Sequence, residues 1–193
     1  MAFQIIAVVI LIVFYGCYFL KMLSQKKKGI KTDQIGKGKV GFVKLIEVTM
    51  KISVCLVPVV EIVSIIRDIS SGSVAIRIVG VVVSTVGTAI FISAVLTMRD
   101  SWRAGVAKDD QTELVTNGIY RFSRNPAFLG FDLLYIGILL IFFNWALFAV
   151  SAFAILMYHL QIVNVEEDFL LDTFGDAYLE YRRTVCRYIG RKR

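Results

Sequence analysis

The sequence has little of what metal sites and disulfide frameworks are built from. It contains one histidine, His159, so a centre with several histidine ligands is excluded. Its three cysteines, Cys17, Cys55 and Cys186, show no paired spacing, and two of them fall inside apolar runs. The sequence therefore predicts neither a metal site nor a disulfide.

Charge is also scarce. Asp, Glu, Lys and Arg make up 19% of the residues, whereas hydrophobic residues make up 57%. An ordinary soluble domain is about 45–50% apolar, so this composition predicts an integral membrane protein. The first apolar run, residues 2–20, carries no charge, and lysines follow it instead of preceding it. We therefore expect it to be a retained span and not a signal peptide.

The basic residues behind the net charge of +7 are unevenly placed. They concentrate in alternate loops, which are the cytosolic ones by the positive-inside rule. This predicts an N-terminus outside and a C-terminus and active site in the cytosol. It favours contact with anionic membrane lipids over nucleic acid binding. The basic segments hold Lys21, Lys26, Lys27, Lys28, Lys31, Lys37 and Lys39, then Arg99, Arg103, Lys108, Arg121 and Arg124, and finally Arg182, Arg183, Arg187, Arg191, Lys192 and Arg193.

The fold class that these patterns predict is an all-α integral membrane protein with about five transmembrane helices. The apolar runs are residues 2–20, 45–66, 74–98, 126–143 and 145–163. We divide the chain into N-terminal spans with a basic loop, residues 1–100, and a core of loop, helical hairpin and C-terminal cap, residues 101–193. Small residues in the third run predict a face for close helix packing, as does Gly130.

The second run is the least regular, because it contains Lys51, Pro58 and Glu61. A charge facing lipid at mid-bilayer costs about 2.5–3.5 kcal/mol, so the charges must lie near the ends or face protein. Alternatively the first part of the run, with Lys44 and Glu47, forms an interfacial helix.

The fourth run starts at a strong helix signal. Asn125 is a suitable N-cap, and Pro126 suits the first helical position because its missing N–H needs no partner there. The fourth and fifth runs form a hairpin that brings Arg124 and Asn125 back beside Glu166 and Glu167.

Apolar residues recur on one helical face of the tail at spacings of three to five, with a turn at Phe174-Gly175. This predicts an amphipathic helical cap over the cytosolic mouth of the hairpin. The face contains Phe169, Phe174, Tyr178, Tyr181, Val185 and Tyr188.

These motifs together resemble the isoprenylcysteine carboxyl methyltransferase family and its wider relatives, the membrane phospholipid methyltransferases. The resemblance rests on Arg124-Asn125-Pro126, then Gly130, a membrane hairpin, Glu166-Glu167, Phe174-Gly175 and spaced tyrosines ending in Arg187-Tyr188-Ile189. It covers about half the chain, residues 101–189. It implies methyl transfer from S-adenosylmethionine to a lipophilic acceptor. The family more often has His at the position of Asn125, which weakens any proposal of a base there.

The resemblance implies a cofactor site at the start of the hairpin. A helix N-terminus and Arg124 suit the carboxylate of S-adenosylmethionine. Glu166 and Glu167 would accept hydrogen bonds from its ammonium or ribose hydroxyls. Adjacent residues point about 100° apart on a helix, so we expect only one of them to face the pocket. The resemblance slightly favours Glu166 over Glu167. The remaining cofactor candidates from the resemblance are Asn125, Pro126, Tyr120, Tyr178, Tyr181, Arg187 and Arg103.

The catalytic candidates are Arg124, Glu166 and His159. His159, with Gln161, would line the inner pocket near the transferred methyl; the alternative is that His159 only hydrogen-bonds a neighbouring helix. Arg103 is equally consistent with a membrane-edge anchor. Taken singly, Asn125-Pro126 is also consistent with a plain helix start and Glu166-Glu167 with a solvated pair.

Methyl transfer suits a sequence without a nucleophile–base pair or metal cluster. The donor is already activated, so the protein mainly aligns it with the acceptor away from water. The acceptor is left open: a prenylcysteine-like carboxylate, a lipid amine, or a small hydrophobic thiol or phenol. The oligomeric state is also left open.

Two alternative functions remain open. A membrane reductase of the sterol-reductase type shares an Arg-His-Pro hairpin but uses a nicotinamide cofactor, and usually has more spans. A non-enzymatic membrane scaffold or solute carrier is the other reading, although the chain lacks the internal repeat typical of carriers.

Overall fold

The computed structural model describes residues 1–36, 39–70, 72–105 and 113–192. Lys37, Lys108 and Arg193, which belong to the basic segments, lie outside these ranges. The regular secondary structure of the described residues is helical. These residues contain no strand, only two isolated β-bridges, Asp33 with Ala104 and Val185 with Arg191. The α-helices are α1 Ala2–Lys27, α2 Gly41–Ile66, α3 Val74–Met98, α4 Pro126–Ile141, α5 Trp145–Gln161, α6 Glu167–Phe174 and α7 Asp176–Thr184.

Four helical segments of the described chain are long and apolar enough to cross a membrane, as expected of an integral membrane protein. They are Ala2–Lys27, Gly41–Ile66, Val74–Ser101 and Trp145–Phe174. Helix α4 has 16 residues and is therefore shorter. At 1.5 Å per residue it is about 24 Å long, somewhat below the usual span. A fifth crossing by α4 stays a prediction, and so does the division of the chain at residue 100.

Helices α3 and α4 pack closely because glycines face each other along their contact. A Cβ atom on Gly137 of α4 would lie 2.5 Å from the backbone nitrogen of Ser84 on α3. One on Gly87 of α3 would lie 2.8 Å from the carbonyl oxygen of Gly130. No real side chain fits at such distances, so the small-residue face predicted from the sequence is confirmed.

Helix α2 is continuous, so its first part is not a separate interfacial helix. Glu47 and Glu61 are fully buried and therefore face protein instead of lipid. Lys51 forms an ion pair of 2.7 Å with Asp33 of the preceding loop. Helix α2 runs along α5, with a hydrogen bond from Asn144 Nδ2 to Ser64 Oγ (2.9 Å) at one end.

The basic loops and the C-terminal segment meet at one end of the helical bundle. The side chain of Gln25 donates to the carbonyl of Trp102 (2.8 Å), which joins the end of α1 to the segment after α3. The N–H of Arg124 donates to the carbonyl of Cys186 (3.1 Å), which docks the C-terminal segment on the start of α4. The turn predicted at Gly175 separates α6 from α7, and its φ of 50° suits glycine.

Candidate functional site

Arg124 lies at the centre of the site, two residues before α4, with only 4% of its side chain exposed. Its Nη2 atom is 2.9 Å from Oε1 of Glu167, and its Nη1 donates to the hydroxyl of Tyr178 at 2.6 Å. Burial raises the pKa of Tyr178, so this hydroxyl stays protonated at neutral pH. The Nε of Arg124 is buried and has no hydrogen-bond partner among the described residues. A strong donor is therefore left available at this position.

Glu167 is surrounded by arginines. Arg187 binds it with both arms of its guanidinium group, Nε to Oε1 at 2.8 Å and Nη2 to Oε2 at 3.0 Å. Arg182 approaches to 3.9 Å. The hydrogen bond to Glu167 raises the pKa of Arg187 further. Three guanidinium groups around one carboxylate leave the cluster positively charged and attractive to an anion.

The start of α4 differs from the prediction in one respect. Pro126 occupies the first turn as expected, but the side chain of Asn125 does not cap the helix. Its Nδ2 donates instead to the carbonyl of Arg187 (3.1 Å), which holds the C-terminal segment in place. Asn125 therefore occupies the N-cap position as predicted, but its side chain makes no capping hydrogen bond and contacts a residue 62 positions away instead. The first-turn N–H groups of α4 are left without a side-chain cap.

Tyr120 and Tyr181 lie behind this cluster. The hydroxyl of Tyr181 donates to the carbonyl of Tyr120 at 2.6 Å, and both side chains are buried with Val185 in a small apolar core. Burial raises the pKa of each, so both remain neutral. In this arrangement the two tyrosines support the turn before α4.

Glu166 and Glu167 point to different neighbours, because adjacent side chains point about 100° apart on a helix. Residues Ile162–Glu166 form a π-helical turn between α5 and α6. Such turns insert one extra residue and often occur at functional sites. Glu167 faces Arg124, whereas Oε1 of Glu166 lies 3.4 Å from Nε2 of Gln161.

The surroundings of Glu166 include a residue that the sequence analysis missed, Glu47 of α2. Gln161 Nε2 lies 3.5 Å from its Oε1, and the N–H of Gly36 donates to its Oε2. The carbonyl oxygen of the Gln161 side chain is buried without a hydrogen-bond partner in the described part of the chain. The sequence feature that could have identified Glu47 as a site residue is its position as a carboxylate inside an apolar run.

His159 lies on another side of the hairpin. Its Nδ1 is 2.7 Å from the hydroxyl of Tyr188, and the two rings stack with centroids 6.1 Å apart. His159 and Glu166 are seven residues apart, a spacing that would put both on one face of a regular α-helix, but a π-helical turn begins at Ile162 and the two side chains contact different groups. Tyr188 is a second residue that the site analysis from sequence did not name.

Arg103 is separate from the arginine cluster. Its Nη1 donates to the carbonyl of Trp102 at 2.9 Å, and its side chain borders a cavity of about 80 Å³. That cavity lies beside the first turn of α4, and its wall includes Ala127, Phe128, Phe131, Trp102 and Tyr158.

The structure thus brings Arg124, Asn125, Glu167, Tyr178 and Arg187 together. Glu166 contacts Gln161 instead, and His159 contacts Tyr188.

Comparison with known proteins shows to which family the chain belongs. Residues 75–177 match the family model for phospholipid methyltransferases, which is more than half of the chain. The chain belongs to the phospholipid methyltransferase family.

Relatives of this family member include several named protein-S-isoprenylcysteine O-methyltransferase, which confirms the resemblance seen in the motifs. The fission yeast Schizosaccharomyces pombe protein is 32% identical over 37% of this chain and 30% of its own length. The Saccharomyces cerevisiae protein is 32% identical over 40% of this chain and 33% of its own length. The Arabidopsis thaliana protein A is 30% identical over 55% of each. The matches therefore span from about a third to about half of these relatives.

Proposed function

We propose that the chain is an S-adenosylmethionine-dependent membrane methyltransferase that methylates a lipophilic acceptor. Family membership and the names of the relatives support methyl transfer. The observation that carries the cofactor assignment is Arg124, a buried guanidinium at the uncapped start of α4 with one N–H unpaired. A carboxylate is the ligand that such a position fits best.

The polar groups of the site suit both charges at the amino-acid end of the cofactor. Arg124 and the first turn of α4 would hold its carboxylate. Glu166 and the unpaired carbonyl of Gln161 would accept from its ammonium group or ribose hydroxyls. Glu167, already bound by Arg124 and Arg187, would keep the guanidinium groups in place.

The aromatic cavity beside Ala127 and Phe128 offers apolar surface for a purine ring. Its volume of about 80 Å³ is too small for a whole cofactor. Ligand pockets usually measure about 300–1,000 Å³, so binding requires the segment around Trp102 and Arg103 to move outwards.

Mechanistically, S-adenosylmethionine supplies a methyl group that is already activated. The chain's own contribution is alignment and exclusion of water. The C-terminal segment, tied down by Arg187 and Asn125, would close the site towards the aqueous side. The acceptor would arrive from the bilayer.

Calorimetry with the detergent-purified protein tests this function. We expect S-adenosylmethionine and its demethylated product to bind in the micromolar range. Arg124→Lys keeps the charge but loses the forked donors, so binding should weaken at least about tenfold. Glu166→Gln should weaken binding of the same ligands. The matched control is Arg121→Lys, an exposed arginine of the preceding turn, which should bind like the unmodified chain.

Unchanged binding in both Arg124→Lys and Glu166→Gln would show that the site is assigned wrongly. If the folded protein bound reduced nicotinamide cofactor and neither methyl donor nor product, the membrane reductase would replace the methyltransferase. A thermal unfolding midpoint close to that of the unmodified chain establishes that each variant is folded.

A further inference from the structure

The apolar helix α1 ends beside a groove of about 670 Å³ that shares no lining residue with the candidate cofactor site. Phe19, Met22 and Leu23 form its apolar wall. The side chains of Phe19 and Leu23 are 57% and 56% exposed. Lys26, from the last turn of α1, and Lys31, from the loop that follows, also line the groove. An apolar surface and two cationic side chains therefore meet in one place.

A turn at the end of α1 brings the two lysines to the same groove. The N–H of Ile30 donates to the carbonyl of Gln25 at 3.0 Å. The N–H of Gly29 donates to the carbonyl of Lys26 at 3.1 Å. These two hydrogen bonds form a Schellman motif, and Gly29, with a φ of 76°, occupies the left-handed position that the motif requires. The chain therefore reverses direction after α1 and returns Lys31 to the side of the last helical turn.

Buried hydrogen bonds fix the floor of the groove. Thr32, which belongs to the lining, is 5% exposed, and its hydroxyl donates to Oε1 of Gln25 at 2.7 Å. The carbonyl of Thr32 accepts from the N–H of Ala104 at 3.0 Å. Gln25 in turn donates to the carbonyl of Trp102 at 2.8 Å. The groove is therefore a preformed surface, and these contacts also set the position of Lys31 beside Thr32.

The chain does not neutralise the two lysines of the groove. Lys26 and Lys31 are exposed, and their ammonium groups form no ion pair with the described residues. Asp33, the acidic side chain of the lining, is bound by Lys51 at 2.7 Å. Positive charge that the protein leaves uncompensated in a groove attracts a negatively charged ligand.

The length of the groove matches the edge of a bilayer. Helix α1 is among those long and apolar enough to cross a membrane, and Lys26 lies in its last turn. Seven residues separate Phe19 from Lys26, which is about 10 Å along the helix axis. The headgroup layer of a bilayer is roughly 5–8 Å thick on each side. The apolar wall can therefore contact acyl chains while the lysines reach the level of the phosphates.

Charge distinguishes between the occupants that such a groove could take. A second copy of the chain would bring the same lysines against one another in a two-fold contact, which is unfavourable. Free phosphate would bind the lysines and leave the apolar wall uncovered. A phospholipid with an anionic headgroup suits both parts of the groove. The positive-inside rule also predicts that this end of α1 faces the cytosolic leaflet, which carries anionic lipids.

We propose that the groove at the end of α1 binds one anionic phospholipid. The phosphate contacts the ammonium groups of Lys26 and Lys31, and an acyl chain lies along Phe19 and Leu23. The inference concerns a lipid that stays bound and is not methylated, so it does not depend on the proposed methyltransferase function.

Native mass spectrometry of the full chain in a neutral detergent tests the site. The probes are phosphatidylglycerol and phosphatidylcholine with the same acyl chains, so only their headgroups differ. We expect the first phosphatidylglycerol to bind at least about tenfold more tightly than phosphatidylcholine, because two lysines contact its charge. Lys26→Gln and Lys31→Gln should each weaken binding of phosphatidylglycerol about fivefold, since a lysine near a membrane surface contributes about that factor.

Lys27→Gln is the matched control for these variants. Lys27 is exposed at the same end of α1 but lies outside the described lining of the groove. Its replacement removes the same charge and should change binding of phosphatidylglycerol less than about twofold, because salt screens exposed charges. An equal loss in Lys27→Gln and Lys26→Gln would show that the lipid binds diffuse surface charge instead of the groove. Equal affinity for the two lipids, or displacement of the lipid by an equal concentration of inorganic phosphate, would also contradict the proposal.

Fluorescence quenching locates the lipid on α1. In a background with Trp102→Phe and Trp145→Phe, Phe19→Trp places a fluorophore in the groove. Leu20→Trp places it on an exposed part of α1 outside the described lining. In phosphatidylcholine vesicles that contain a minor fraction of brominated phosphatidylglycerol, we expect stronger quenching of Phe19→Trp than of Leu20→Trp.

The charge of the groove provides the control for the quenching measurement. Adding Lys26→Gln should remove the difference between the two positions. Equal quenching of Phe19→Trp and Leu20→Trp in the presence of Lys26 would mean that no lipid is held in the groove. The mass spectrometric test keeps both native tryptophans, so it decides by itself if this background does not fold.

Discussion

Arg187 holds both oxygens of the Glu167 carboxylate, with Nε at 2.8 Å and Nη2 at 3.0 Å. This pair ties the C-terminal segment to the start of α6. Because Glu167 also binds Arg124, one carboxylate connects α6, the C-terminal segment and the residue proposed to bind the cofactor. Glu167 therefore links the position of the C-terminal segment, which would close the site, to the position of Arg124.

Arg187→Ala should loosen the C-terminal segment without unfolding the bundle. Arg187 is 30% exposed, so solvent screening limits the loss to about 1–2 kcal/mol. We expect chymotrypsin to cut the tail faster in detergent, while the thermal midpoint of the bundle changes little. The control is Arg183→Ala, which removes an exposed pair with Glu180. Equal cleavage rates in the two variants would show that Arg187 does not hold the segment.

Gly137→Ala should destabilise the bundle. The added Cβ would lie 2.5 Å from both the nitrogen and the Cβ of Ser84, so α3 and α4 must separate. Overpacking of this kind costs about 1–3 kcal/mol, which exceeds the gain of about 0.5–1 kcal/mol from replacing glycine in a helix. Thermal unfolding in detergent measures the difference.

Gly16→Ala is the matched control for that variant. Gly16 also lies within a long helix, but a Cβ there would meet nothing within 4 Å. It should be neutral or slightly stabilising. Equal midpoints for the two variants would contradict the close contact between α3 and α4.

Much of the helix layout could be predicted from the sequence because its signals are local. The third apolar run matches α3 at both ends, and Asn144 caps α5 just after the apolar run that contains α4. Gly175 forms the turn between α6 and α7. Each of these features depends on hydrophobic runs or on turn and cap residues within a few positions.

The details of the site could not be predicted because they depend on contacts distant in sequence. The π-helical turn at Ile162–Glu166 contains no proline or glycine, so nothing local marks it. It directly precedes Glu167, which faces Arg124. Asn125 occupies the N-cap position, but its side-chain amide donates to the carbonyl of Arg187 and makes no capping hydrogen bond. Glu47 joins Gln161 only because α2 packs along α5.

Asn144→Ala should destabilise the turn between α4 and α5. Oδ1 of Asn144 accepts from the N–H of Leu147 at 2.9 Å, and loss of such a cap costs about 1 kcal/mol. Its Nδ2 also donates to Ser64 and to the carbonyl of Phe142. Asn144→Asp keeps the acceptor and loses the donor, so its thermal midpoint should fall between those of Asn144→Ala and the unmodified chain. A midpoint for Asn144→Asp at or below that of Asn144→Ala would show that capping is not the main contribution.

The orientation in the membrane can be tested with the chain's own thiol and one engineered thiol. The structure places Cys186 at the end with the basic loops and Ser73 at the other end. The positive-inside rule then predicts that Ser73 faces outwards. In a background with Cys17 and Cys55 replaced by alanine, Ser73→Cys should react with a membrane-impermeant maleimide in intact cells. Cys186, half-buried in the tail, should react only after permeabilisation and mild denaturation. Labelling of Cys186 in intact cells, with Ser73→Cys protected, would reverse the orientation and place the candidate site outside.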